Sequence, residues 1–167
     1  MSYRCSTCGA HHEDLPDLGM DYPDQYWGVP EEERAARVEV TEDTCVIDDE
    51  HFFIRGVIEI PIHDHPETFG FGVWVSQKKD NFYTYVENFN SADIGPFFGW
   101  LCSSISYYDE ETLLLKTMAH FMGGRARPRI EVEPTEHPLS VDQREGISLS
   151  KAWEIVHFYI DADETDA

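Results

Sequence analysis

Two cysteines near the start of the chain have the spacing that most directly suggests chemistry. Cys5-Ser-Thr-Cys8-Gly9 is a C-x2-C motif, and His11 and His12 follow it closely. Two thiolates at this spacing bind one tetrahedral ion from a single tight turn, and the glycine relieves the backbone after the second cysteine. Cys5, Cys8 and His12 would supply three ligands to a zinc ion, with His11 as an alternative to His12.

A structural zinc site needs a fourth ligand, and the sequence offers Cys45, Cys102 or a further histidine. A single C-x2-C motif is weak evidence, so two other interpretations stay open. A redox pair normally opens a helix after a strand, but only four residues precede Cys5 and no helical pattern follows Gly9. The remaining interpretation is an exposed pair of thiols without metal.

His63-Asp-His65-Pro-Glu67 is a second candidate metal site. In a strand, residues 63, 65 and 67 would share one face, so two imidazoles and a carboxylate could bind a metal with open positions. Pro66 favours the end of a strand, and the spacing differs from that of cupin sites. The competing interpretation is a polar strand end that leads into a turn.

No catalytic signature appears elsewhere in the chain, so enzyme activity stays uncertain. The serines and the acidic pairs lack a nucleophile or paired-carboxylate pattern, and no Gly-rich phosphate loop is present. Phe97, Phe98 and Trp100 would suit the lining of a pocket, although aromatic residues more often belong to the core.

The elements that must position these residues are mainly strands. Stretches rich in β-branched and aromatic residues predict strands over 38–40, 44–47, 51–62, 69–76 and 129–133. The stretch 95–101 is ambiguous, and 112–121 favours a strand over a helix because glycines and a proline follow it soon after. Helical patterns cover 30–37, 79–89 and 138–145, and Ser150 is the expected cap of a last helix. Asp48–Glu50 is predicted to be a turn, and Gly56 a bulge.

Strands without regular βαβ alternation predict an α+β fold. We expect a mostly antiparallel sheet, with a few short helices packed on one face or at the ends, and an N-terminal cysteine knuckle. The predicted organisation is a knuckle segment over residues 1–20, a single α+β domain over 21–160, and a disordered acidic tail over 161–167.

The net charge of the chain excludes some classes of binding partner. The 167 residues include 12 Lys and Arg against 33 Asp and Glu, so the net charge is −21. Such a surface repels phosphates, which argues against nucleic acid and anionic membranes as partners. The acidity fits either solvation or a face for a basic protein partner, as in an immunity protein for a cationic toxin. Oligomeric state is not predictable from these features.

The cytoplasm is the expected location. The longest mostly apolar stretch, from Ile94 to Cys102, is about half of what a bilayer requires, and the N-terminus has no apolar signal region. Cysteines in that compartment are expected to be reduced thiols or metal ligands.

Several segments, taken in order, carry a family resemblance. They are Cys5-x2-Cys8-Gly9, Cys45-Val-Ile-Asp48, His51-Phe-Phe-Ile-Arg-Gly56, Gly72-Val-Trp-Val-Ser76 and Glu136-His-Pro-Leu139. Over roughly residues 3 to 150 the chain resembles the uncharacterised bacterial family known as domain of unknown function 2199. The resemblance implies no catalytic residue. It places Cys5, Cys8, His12 and Cys45 in family-like segments, which favours Cys45 as the fourth ligand.

The leading hypothesis is therefore a zinc-stabilised binding or regulatory module. The alternatives are a metal- or thiol-dependent enzyme that uses His63 and His65 or Cys5 and Cys8, and an acidic immunity protein.

Overall fold

The computed structural model describes residues 3–4, 11–12, 18–124 and 126–165, with backbone only for 3–4, 11–12 and 160–165. Within these described ranges, ten strands form two sheets. They are β1 (Tyr3–Arg4), β2 (His11–His12), β3 (Leu18–Gly19), β4 (Val38–Val40), β5 (Thr44–Ile47), β6 (His51–Pro61), β7 (Thr68–Gln77), β8 (Phe97–Trp100), β9 (Lys116–His120) and β10 (Arg129–Val132).

The helices are α1 (Asp24–Trp27), α2 (Arg34–Arg37), α3 (Lys79–Glu87), α4 (Pro138–Glu145) and α5 (Leu149–Thr165), and a 3-10 turn over Glu31–Glu33 precedes α2. Strands and helices are present at the predicted positions, but the predicted helix over 30–37 is divided between the 3-10 turn and α2, and β9 covers only Lys116–His120 of the predicted 112–121. The ambiguous stretch 95–101 contains β8. The cap of α5 differs, because the Ser148 hydroxyl accepts a hydrogen bond from the Lys151 amide at 3.0 Å. The backbone of α5 includes residues 161–165 of the segment predicted to be a tail.

A long hairpin of β6 and β7 forms the centre of the fold. Its strands pair without interruption from Phe52–Gln77 to Pro61–Thr68, so the bulge expected at Gly56 is absent from this ladder. Gly56 serves a different purpose, since a Cβ there would lie 2.6 Å from the Ile130 side chain on β10. The glycine therefore allows close approach between β6 and β10.

The main sheet is mixed, and the expectation of a mostly antiparallel sheet is wrong. β3 joins β7 in parallel, and β10 joins β6 in parallel. β10 returns to β6 only after the chain has passed through β8 and β9, and long connections of this kind permit a parallel neighbour. Helices and sheet together still give the predicted α+β class.

The sheet curls until its far strand meets β7 again. The order runs β3-β7-β6-β10-β9-β8, and β5 adds to the first part of β6. Leu101, directly after β8, then forms an antiparallel bridge with Val75, and the Cys102 amide donates to the Trp74 carbonyl at 2.8 Å. Strands β6, β7, β8, β9 and β10 therefore form a closed ring, fastened at the β7–β8 junction by few backbone bonds.

Alternation along the central hairpin separates two cores. One face carries Phe52, Ile54, Ile58 and Ile60 together with Phe69, Phe71, Val73 and Val75, and α3, α4 and α5 complete this main core. The opposite face carries a smaller cluster, here called the outer core: Val29, Cys45, Ile47, Phe53, Trp74 and Cys102. The chain after β3 covers the outer core, and the Trp74 indole donates to the Met20 carbonyl at 2.9 Å.

Candidate functional site

The predicted zinc ligands are only partly within the described structure. Cys5 and Cys8 lie outside the described residues. His12 belongs to β2, which pairs antiparallel with β1 so that His12 is opposite Tyr3 and His11 opposite Arg4. The segment that contains both cysteines therefore connects two paired strands.

Cys45, the predicted fourth ligand, lies in the outer core with Cys102. Both thiols are free and buried. Burial raises the pKa of each to about 11, although contacts with Gln25 and Ser76 partly oppose this at Cys102. Both are therefore protonated thiols at neutral pH, which argues against either of them as a catalytic nucleophile.

The His63–Glu67 segment does not form the shared strand face that was predicted. β6 ends at Pro61, and Asp64 has a φ of 59°, which reverses the chain. The His63 Nε2 is 2.8 Å from the Glu145 carbonyl, and the His65 Nδ1 accepts from the Glu67 amide at 3.1 Å. The imidazoles fasten a turn, so the metal interpretation of this segment is wrong. Across the described part of the chain, no group of three or more His, Cys, Asp or Glu is arranged to hold a metal ion.

Two exposed aromatic side chains lie next to each other on β8. Phe98 and Trp100 are each 41% exposed and meet edge to face, with ring centroids 5.1 Å apart. Phe97 points the other way and packs against the main core. We call Phe98 and Trp100 the aromatic ridge. Exposed aromatic groups of this size commonly mark interaction surfaces.

A cleft of about 330 Å³ borders the Trp100 side of the ridge. Five parts of the fold line it: α1, the start of β6 with the residue before it, the end of β7, the end of β8 and the turn before β9. We call it the polar cleft, and its lining includes Gln25, Glu50, Phe53, Gln77, Trp100, Cys102 and Leu114.

Side chains at the end of β7 hold the free edge of β8 beside this cleft. The Trp100 amide donates to the Ser76 hydroxyl at 3.0 Å. The Gln77 Nε2 donates to the Phe98 carbonyl at 3.2 Å and to the Ser76 carbonyl at 2.8 Å. A Cβ on Gly99 would lie 2.2 Å from the Ser76 carbonyl oxygen, so only glycine permits this approach. The β7–β8 junction is thus completed by side chains instead of a full ladder.

A smaller cleft of about 160 Å³ borders the Phe98 side of the ridge, and we call it the acidic cleft. Its lining includes Met118, Glu131 and Glu133, with Lys116 as the cationic member. The His120 Nε2 is 3.2 Å from a Glu131 oxygen. The ridge therefore has a carboxylate on each side, Glu50 in the polar cleft and the two glutamates here.

This arrangement suits recognition of a cationic, partly apolar surface. Aromatic faces attract cations, and carboxylates supply the opposite charge. Sequence reasoning missed Gln25, Gln77 and Glu50, because glutamine and a lone acid carry no pattern in a sequence. The signal for Phe98 and Trp100 was the two-residue period of β8, which places them opposite Phe97.

Within the described residues, no helix is both long and apolar enough to cross a bilayer.

In the comparison with protein families, a profile described as an uncharacterized protein conserved in bacteria (DUF2199) matches residues 4–147. Comparison with curated proteins and with solved structures found no match.

Proposed function

This chain belongs to the bacterial family DUF2199, and from that premise and the geometry above we propose that the protein is a binding module for a basic protein partner. The partner contacts the aromatic ridge and the two clefts beside it. A second part of the proposal is that a structural zinc ion, bound by Cys5, Cys8, His12 and Cys45, stabilises the N-terminal segment.

The observation that carries the binding proposal is the position of the ridge between two carboxylate-bearing clefts. Large apolar groups exposed at 41% each are costly to solvate and favour a partner. The net charge of −21 attracts a basic surface over long distances and speeds its encounter. Glu50, Glu131 and Glu133 then supply short-range complementarity around the aromatic rings.

The support for zinc comes from the paired strands β1 and β2 that flank the C-x2-C segment. Metal ligands of small zinc sites are often presented by the segment between two paired strands. Met20, shortly after the segment, packs against the outer core that contains Cys45. The buried Cys45 thiol would have to lose its proton on binding, since zinc takes the thiolate. A reducing cytoplasm, the compartment we propose, keeps the three ligand thiols available.

Binding is tested by titrating an octa-arginine peptide into the protein at about 0.15 M salt, by calorimetry, where surface charge alone is substantially screened. The double substitution F98A/W100A should weaken binding about tenfold or more, because aromatic anchors carry much of the energy of an interface. Phe158→Ala is the matched control, since Phe158 is equally exposed at 42% but lies on α5. Equal affinities for the wild type and F98A/W100A would contradict the proposed face.

Zinc is tested by metal analysis of tag-free protein and by counting reactive thiols. One equivalent of zinc is expected in the wild type, with loss in Cys5→Ser, Cys8→Ser and Cys45→Ser. Cys102→Ser is the matched control, because Cys102 is a buried thiol outside the proposed ligand set. Wild-type protein without zinc would refute the site, and retention by Cys45→Ser alone would exclude Cys45 as the fourth ligand.

A further inference from the structure

Two glutamines that line the polar cleft each carry a buried amide oxygen without a hydrogen-bond partner among the described residues. The two oxygens are Gln25 Oε1 and Gln77 Oε1. Gln77 is only 8% exposed. Its Nε2 is committed to two carbonyls, those of Ser76 and Phe98, so the orientation of the amide is fixed and Oε1 must be an acceptor. A buried acceptor without a donor is costly, so a ligand that brings a donor within reach of this oxygen would remove that cost.

Other residues that line the cleft indicate which hydrogen-bond donor would fit there. Glu50 adds a negative charge, Trp100 adds a half-exposed aromatic ring, and Leu114 adds an apolar surface. An arginine side chain matches all three, because its planar guanidinium carries five N–H donors, remains charged and stacks on aromatic rings. Its methylene stem suits apolar contacts. A lysine ammonium is a point charge and uses the separated acceptors and the ring less well.

We propose that the polar cleft is a binding site for an arginine side chain of the partner protein. The guanidinium donates to Gln77 Oε1 and Gln25 Oε1, Glu50 provides the countercharge, and Trp100 covers the guanidinium plane. This inference rests on the proposed function, since it identifies the residue type by which a basic partner is recognised.

The first experiment compares three capped amino acids by NMR titration of isotope-labelled protein: the Nα-acetyl amides of arginine, lysine and citrulline. Citrulline keeps the shape of arginine but lacks the charge. Arginine is expected to shift the signals of Gln25, Gln77 and the Trp100 indole, with citrulline about tenfold weaker and lysine intermediate. Equal affinity for arginine and citrulline, or arginine shifts confined to other surfaces, would overturn the assignment.

The second experiment uses variants of the cleft wall. Gln25→Met and Glu50→Gln keep the side-chain size and should each weaken capped arginine about fivefold. Glu59→Gln removes a charge from an exposed position elsewhere on β6 and is the matched control. Gln77→Met removes the fixed acceptor but also two bonds that hold β8, so its folding is checked by circular dichroism. The Gln25 and Glu50 variants decide the proposal independently, and unchanged arginine affinity in both would overturn it.

Failure of this inference and failure of the proposed function give different results. If octa-arginine binds at the aromatic ridge but capped arginine produces no shifts in the polar cleft, the binding module stands and the arginine site is wrong. If capped arginine binds in the cleft selectively but octa-arginine affinity is unaffected by Phe98→Ala, which leaves Trp100 in the cleft wall, the arginine site stands and the proposed ridge interface is wrong.

Discussion

At the scale of single residues, Gly99 controls how closely β8 approaches β7. A Cβ at this position would overlap the Ser76 carbonyl oxygen, which is backbone and cannot move aside without shifting the strand. We expect Gly99→Ala to lower the free energy of unfolding by about 1–3 kcal/mol, the usual cost of overpacking. Urea denaturation followed by tryptophan fluorescence measures this.

Gly28→Ala is the control for Gly99→Ala. Gly28 has a φ of −76°, and the nearest atom to its added Cβ is the Gln25 carbonyl oxygen at 3.4 Å. Its stability should stay within about 0.5 kcal/mol of wild type. A Gly99→Ala protein as stable as Gly28→Ala would show that β8 moves away from β7 freely.

The ion pair between Arg37 and Asp48 gives a residue-scale prediction about pH. Arg37 Nε lies 2.8 Å from one Asp48 oxygen and Nη2 lies 2.9 Å from the other. The hydrogen bonds from Arg37 lower the pKa of Asp48. A carboxylate with a lowered folded pKa stabilises the fold above its unfolded pKa of about 3.9, and that contribution disappears as the pH falls through the folded pKa.

The unfolding midpoint of Asp48→Asn should therefore lie below that of wild type at pH 7 and converge with it in strong acid. Asparagine tolerates the φ of 56° at this position. Asp49→Asn is the control in the same turn, since Asp49 forms no ion pair with Arg37 in the described structure. A stability difference between Asp48→Asn and wild type that is independent of pH would contradict the assignment.

The individual ligating residues show the limit of sequence reasoning at this scale. The C-x2-C motif identifies Cys5 and Cys8 as a pair, but no sequence pattern shows that the Cys45 thiol is fully buried. Burial depends on contacts such as Trp74 and Phe53, which come from other strands. Sequence reasoning missed Gln77 because its role depends on the hydrogen bond to Phe98 and on burial of its amide, and both come from residues elsewhere in the chain.

At the scale of elements, a buried network joins α4 and α5 to the segment after β8. The Tyr108 hydroxyl donates to Asp142 Oδ2 at 2.7 Å, and Lys151 Nζ lies 3.0 Å from the other oxygen. Burial and the Asp142 hydrogen bond raise the pKa of Tyr108, so the phenol stays a donor. Tyr108→Phe should lower stability by about 1.5–3 kcal/mol, the range for hydrogen bonds to charged groups.

Thermal or urea unfolding of Tyr108→Phe against wild type measures that loss. Tyr83→Phe, at an exposed position on α3, is the control and should be close to neutral. If both variants are equally stable, the network contributes nothing to the docking of α4 and α5.

Most elements were predictable because their patterns are local. The β6–β7 hairpin has long runs of β-branched and aromatic residues, and α4 begins at a proline and ends before a glycine. Sequence alone predicts the cap of α5 two residues late, because Ser148 and Ser150 are both suitable caps and the choice depends on where the chain leaves the Ile62–Ile147 bridge. The parallel pairing of β10 with β6 could not be predicted, because it depends on residues far apart in the chain.

At the scale of the whole molecule, the net charge of −21 opposes the folded state. Like charges on a compact surface repel, and salt screens them. We expect the unfolding midpoint to rise between about 0.01 M and 0.5 M sodium chloride, with a matching decrease in octa-arginine affinity. Differential scanning calorimetry and titration calorimetry measure the two trends, and a midpoint that falls with salt would contradict the repulsion argument.

Ser76 and Gln77 close the ring of strands by hydrogen bonds to β8, and Gln77 also lines the proposed arginine site. Partner binding therefore affects how often the ring opens. An arginine side chain bound to Gln77 would stabilise the β7–β8 junction, which closes the ring of strands. Binding and ring closure are therefore thermodynamically linked. Amide protons along β8 would then exchange with solvent more slowly when the arginine side chain is bound. Conversely, opening of the β7–β8 junction would release the bound arginine side chain.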